Sequence, residues 1–291
     1  MTLALPERLQ RAINASGRDD LLAWANGLAE ILVGVAEEWE LTVGEPFTPG
    51  GQCAWVAPAV TSSGESFVLK LAWVHSEARD EAVGLRAWNG KGAVHLIRQH
   101  TVNSTTSALL IERCEPGWSL ASTLPESERD PIIASVLQKL WIRPAPELRL
   151  RPLSDMCAKW ADEYAAQSPL VNSDLGLRRM SLDLLRSLPN DPTPQCVLVT
   201  DLHADNVLAA ARQPWLAIDP KPYVGDPAYD VVQHIGTSYT RVQLDPDGLV
   251  NRMSDLAGVE ADRVRLWLFA RCMQESAGQP WLYEVAKKVA P

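Results

Sequence analysis

Between Asp20 and Trp39 the apolar residues Leu21, Trp24, Leu28, Ile31 and Val35 recur three or four positions apart, on one side of a 3.6-residue period, and predict a leading helix over 20–39. The period then changes. PGGQCAWVAPAV (49–60) and ESFVLKLAW (65–73) are β-rich runs separated by TSSG, and they predict a hairpin entered through glycines. Residues 75–89 return to helical composition, and AVHLIRQH (93–100) and SALLIERC (107–114) predict two strands around a polar turn. EPGW at 115–118 punctuates the chain. Beyond it, helical patterning covers 126–142, 155–167, 174–188, 227–239, 246–257 and 260–275, interrupted only by strand-like runs near 197–218. The order predicts an α+β protein of two lobes: a small β-rich lobe with the leading helix, 1–114, and a larger, mainly helical lobe, 115–291. A cleft between lobes is a common place for a ligand.

The hydrophobic pattern leaves the acids at its strand ends unexplained. Val197–Thr200 lead into Asp201, and Asn206 lies in the same loop. Val207–Ala211, a Gln213–Pro214 turn and Trp215–Ile218 then predict a second hairpin, which returns Asp219 to the neighbourhood of Asn206. Carboxylate and amide oxygens so grouped suit a hard divalent cation whose other positions go to water and phosphate. Asp201 is left to orient a hydroxyl nucleophile. Asp201 and Asn206 are also ordinary turn formers. Downstream, GDPAYD reads as a helix start, with Asp226 as N-cap, Pro227 at the first helical position and Asp230 inside the helix.

Composition narrows the partners. The 291 residues are 46% hydrophobic and 22% charged, an ordinary globular balance, with a formal charge of −9. That charge argues against a nucleic-acid footprint and suits cationic small molecules. Five scattered cysteines without a CxxC pair read as reduced packing residues, not disulfides or a zinc site. No segment has the length of a signal core or a membrane span, so a cytoplasmic protein without a membrane partner is expected. The eleven tryptophans are dispersed and read as packing residues; His75, His95, His100 and His234 lack metal-ligand spacing and read as structural or surface groups.

DLHADN resembles the DxxxxN catalytic loop of the protein-kinase-like fold, and AIDP resembles its second metal-binding aspartate. DLHADNVL followed by IDPKPYVGDPAYDV is similar to the aminoglycoside and hydroxyurea antibiotic-resistance kinases. The resemblance extends upstream through PGGQCAWV, FVLKLAW, HSEARDEAVGLRAWNGKGAVHLI and ALLIERCEPGWSL, in the family's order, over about 45 to 240. It implies that Lys70 grips the α and β phosphates of ATP and that Glu81 is its ion-pair partner, with Glu77 one turn earlier as an alternative. It also implies a nucleotide cover at Pro49–Gln52, including Gly50 and Gly51, and a hinge at Glu112 to Cys114 whose backbone meets adenine. Asp201 becomes the catalytic base, Asn206 and Asp219 the Mg2+ ligands, and Asp230 a structural acid behind the loop.

Two departures accompany the resemblance. Val199 and Thr200 stand where the family commonly has His-Gly, which calls for another support of the loop or leaves a less efficient catalyst. The nucleotide-covering turn is short and poor in glycine. His203, where many kinases place a phosphate-contacting lysine, reads equally as a γ-phosphate contact or as a loop histidine holding a carbonyl. The activity implied is Mg2+-dependent, direct in-line transfer of the ATP γ-phosphate to a hydroxyl of a small molecule, with a cationic, streptomycin-like aminoglycoside favoured. Glu126, Glu128, Asp155, Asp162 and Glu163 are available to meet its amines. Two other readings stand beside it: a phosphohydrolase with Asp201 as nucleophile, which leaves Lys70 and Glu81 without a role, and a catalytically silent kinase-like nucleotide-binding protein.

Overall fold

The computed structural model describes residues 3–75, 78–170, 173–191 and 194–291; Glu77 lies outside them. The chain divides into two compact units, Met1–Gly117 and Trp118–Pro291.

The first unit begins with α1 (Glu7–Ser16) and α2 (Asp19–Glu38). They are separated at Gly17, which caps α1 with a φ of 61° that glycine adopts without a Cβ clash. The leading helical region is therefore two helices, and the stripe at 20–39 marks only the second. Of that stripe, Leu21, Trp24, Leu28 and Val35 are buried together with Leu32, while Ile31 packs at the margin of the same core. β1 (Leu41–Val43), β2 (Ala54–Thr61), β3 (Ser66–Trp73), α3 (Glu81–Trp88), β4 (Leu96–Asn103) and β5 (Thr106–Glu112) follow. The strands form one antiparallel sheet in the order β1-β2-β3-β5-β4. Alternation along β3 decides what each face carries: Leu69, Leu71 and Trp73 join the core under α1 and α2, and Lys70 between them points the other way.

The second unit is mainly helical. β6 (Pro116–Ser119) straddles the boundary, and α4 (Leu120–Thr123), α5 (Glu126–Leu140), α6 (Leu153–Ala166) and α7 (Leu175–Ser187) precede the strands β7 (Cys196–Leu198), β8 (Val207–Ala210), β9 (Trp215–Ala217) and β10 (Tyr223–Gly225). α8 (Pro227–Thr237), α9 (Tyr239–Leu244), α10 (Pro246–Ala257), α11 (Ala261–Glu275) and α12 (Trp281–Lys288) complete it. β7 pairs antiparallel with β10, and β8 with β9, so the two short ladders fix the ends of the 199–206 and 218–222 segments. Asp226 caps α8 by accepting the Ala228 N–H at 3.0 Å and also accepts the Trp267 indole N–H of α11 at 2.7 Å.

Asp130, fully buried on α5, ties four helices together. It accepts hydrogen bonds from His234 of α8 (2.8 Å), both terminal nitrogens of Arg241 of α9 (2.9 and 2.7 Å) and Arg252 of α10 (2.7 Å). Burial alone would raise its pKa, but these donors outweigh burial and hold the carboxyl well below the usual range.

Candidate active site

The first unit supplies a buried ion pair. Lys70 sits mid-strand in β3, opposite Val56 of β2 and Leu109 of β5, and Glu81 is the first residue of α3. The Lys70 ammonium donates to both carboxylate oxygens of Glu81 at 2.7 Å. The two residues are only 6% and 3% exposed. Removing two charges from water costs more than a well-packed apolar pair would, so stability alone does not account for them. A buried cation held on a rigid strand by a helix carboxylate is a ready partner for phosphate oxygens.

The remaining residues expected at the nucleotide lie in two places. Gly50, with φ 77°, and Gly51 form the turn before β2. A Cβ on Gly50 would stand 2.4 Å from the Pro6 Cβ, and the Pro49 carbonyl accepts the Arg8 N–H at 3.0 Å. The N-terminal segment thus braces this turn, and the glycine is required there by Pro6 as well as by its φ. Glu112 ends β5 and its carboxylate accepts the His95 N–H at 2.9 Å, while Cys114, two residues on, is half-buried and outside any disulfide.

The second unit supplies the loop after β7. Asp230, fully buried in the first turn of α8, accepts the N–H groups of Val199 (2.9 Å) and Thr200 (2.8 Å) and the Trp141 indole N–H (3.0 Å). Three donors would lower its pKa; complete burial outweighs them and pushes it up to about 6. Thr200 takes a φ of 54°, a region that β-branched residues avoid, and its hydroxyl donates to the Lys221 carbonyl. The departure from His-Gly is therefore met by a clamp from behind: Asp230 grips both amides, and a threonine occupies the left-handed conformation.

Asp201 follows, half-buried, with Oδ2 accepting from the Lys221 ammonium at 2.5 Å. Lys221 was not singled out from the sequence, although it is the one lysine in the run from Asp201 to Asp230. Asn206 donates its amide N–H to the Asp201 carbonyl at 3.1 Å, which leaves Oδ1 as its acceptor atom. The Ile218 N–H donates to the Asn206 carbonyl at 2.9 Å, so the β8–β9 hairpin brings the exposed Asp219 next to Asn206. One amide oxygen and one carboxylate on adjacent strand ends fit Mg2+, which keeps several positions for water and phosphate; among the described residues there is no cluster of three or more His, Cys, Asp or Glu that would enclose a metal in protein ligands. His203 lies near Asp205, its Nδ1 3.8 Å from the carboxylate.

The acids considered for a cationic acceptor are less focused. Asp155, Asp162 and Glu163 are exposed on α6; Asp162 pairs with Arg186 at 3.3 Å and Glu163 with Lys159 at 3.7 Å. Two of the three are thus in surface ion pairs. Glu126 and Glu128 stand in the first turn of α5.

Comparison with known proteins adds four findings. The family of aminoglycoside/hydroxyurea antibiotic resistance kinases matches residues 39–282. The streptomycin 6-kinase of Streptomyces griseus is 33% identical over 280 residues, covering 94% of this chain and 89% of that protein. The hydroxyurea phosphotransferase of Kitasatospora aureofaciens is 31% identical over 265 residues, covering 89% and 74%. Among solved structures, LicA in complex with AMP superposes with a TM-score of 0.60 at 15% identity, covering 89% of this chain and 96% of that one. The architecture, a small antiparallel sheet followed by a larger helical unit, is the protein-kinase-like fold.

Proposed function

The chain belongs to the aminoglycoside/hydroxyurea antibiotic resistance kinase family, and on that premise we propose that it moves the γ-phosphate of ATP to a hydroxyl of a streptomycin-like aminoglycoside in one in-line step. The buried Lys70–Glu81 pair carries the reading, because a charge pair so enclosed is what a triphosphate requires and what a core does not. Lys70, held by Glu81, grips the α and β phosphates. Asn206 and Asp219 hold Mg2+, whose charge, when bound, offsets that of the phosphates. Asp201 accepts the hydroxyl proton as the acceptor oxygen bonds to the γ-phosphorus and the bond to the bridging β-γ oxygen breaks, releasing ADP. The hydroxyl attacks directly, so no aspartyl phosphate forms.

A net charge of −9 favours the approach of a polycationic acceptor. Incubation with MgATP and streptomycin, followed by mass spectrometry, is the test: a product heavier by one phosphoryl group is expected, in step with ADP release. The same assay with hydroxyurea separates the two acceptor classes of the family. ADP formation with no phosphorylated acceptor in either arm would contradict the proposal, and trapping of phosphate on Asp201 would favour the hydrolase.

A further inference from the structure

We infer that Lys221 is a positioning residue for the transfer: its ammonium fixes one carboxylate oxygen of Asp201 and leaves the other to receive the acceptor hydroxyl. The inference rests on the proposed role of Asp201 and extends it to a residue outside the acids of the loop.

The bond is a charge-assisted one of 2.5 Å between side chains 29% and 26% exposed, a setting in which it is stronger than at a fully wet surface. It does not stand alone. The Lys221 N–H donates to the Val199 carbonyl at 2.9 Å, and the Lys221 carbonyl accepts from the Thr200 hydroxyl. Three consecutive residues, Val199, Thr200 and Asp201, are thus each bonded to Lys221. The backbone of Lys221 is anchored before its flexible side chain reaches out, which lowers the entropy cost of holding that chain in one rotamer.

The same place holds the strained Thr200, whose φ of 54° persists because Asp230 and Lys221 both secure it. Residues 201–211 contain no Lys or Arg. The loop therefore takes its cation from the segment just beyond Asp219, which couples the carboxylate that would face the acceptor to the segment that would hold the metal. As a simple stabilising ion pair Lys221–Asp201 would contribute little at this exposure. As a fixture for a reacting carboxylate it matters through geometry, where small displacements have large effects on rate.

The test is a cycle of Lys221→Met, Asp201→Asn and the double variant, with Lys221→Arg alongside, assayed with MgATP and streptomycin and checked for folding by thermal melting. Lys221→Met is expected to lower kcat by roughly 100-fold with KM for both substrates within about threefold of wild type. Lys221→Arg, which keeps a donor for Oδ2, is expected to recover kcat to within about tenfold of wild type. The double variant is expected to match Asp201→Asn within about threefold, since a residue that acts through Asp201 has nothing to position once that carboxylate is gone. Losses that multiply in the double variant, an unchanged kcat in Lys221→Met, or a rise in KM for ATP alone would each overturn the inference. If Lys221→Met does not fold, Lys221→Gln takes its place in the cycle under the same criteria. An Asp201→Asn protein with full turnover would remove the proposed role of Asp201, and a wild type inactive on streptomycin would remove the premise; either result takes the inference with it and is distinct from the multiplicative outcome.

Discussion

Asp230 is an acid placed where an acid is costly, wholly enclosed at the start of α8 and yet bonded to three N–H groups. An unfolded aspartate titrates near 4, and burial pushes this one up to about 6. Between those values the folded protein holds a proton that the unfolded chain has released. The contribution of Asp230 to stability is therefore fully present below about pH 4 and declines as pH rises to about 6. Urea unfolding of wild type and Asp230→Asn from pH 4 to 8 is expected to show the stability of wild type relative to the variant falling by about 2 kcal/mol between pH 4 and 6 and levelling off above about pH 7. A difference independent of pH would contradict this account of Asp230. The motif GDPAYDV makes Asp230 legible in the sequence as an acid supporting the loop. Thr200 is not legible, because local propensity argues against a β-branched residue at positive φ; only the partners at 221 and 230, distant in sequence, explain it. Gly50 shows the converse: the glycine is plain to see, but the contact with Pro6 that requires it is not.

Among the elements, the long amphipathic helices were readable within a few residues, since their apolar period survives any tertiary arrangement. Short ones were not. β10 has three residues and exists as a strand because β7 pairs with it, and α9 and α12 carry too few turns to show a period. The strand expected at 93–100 lies instead at Leu96–Asn103; Ala93 and Val94 are apolar because they are buried, not because they extend a ladder. Asp130 is an element-scale feature with no local sign, since its partners on α8, α9 and α10 are more than 100 residues away. An asparagine there keeps the volume but loses the charge, and its amide N–H groups oppose the donors of His234, Arg241 and Arg252. Asp130→Asn is expected to lower stability by roughly 3 kcal/mol, read as a drop in Tm of roughly 5–10 °C. A Tm within a degree of wild type would show that the four helices do not depend on this cluster.

At the scale of the whole molecule, each unit holds some of the residues to which the proposed transfer assigns a role. The β-rich unit carries Lys70 and Glu81, and the helical unit carries Asp201, Asn206, Asp219, Lys221 and Asp230. The ordered motifs mark these residues, apart from Lys221, in the sequence, since the phosphoryl transfer proposed for them needs particular acids and a lysine in sequence order and little else from the protein. The acids expected to meet an acceptor's amines have no such mark, because acids on helices have no fixed spacing; two of them are exposed and paired with Arg186 and Lys159. The central claim is that Asp201 serves the chemical step and not nucleotide binding. Its most direct measurement pairs calorimetric MgATP binding with turnover on streptomycin for wild type and Asp201→Asn. The expected result is a Kd for MgATP within about threefold of wild type and a kcat lower by roughly 1,000-fold; an Asp201→Asn protein that turns over as fast as wild type would contradict it.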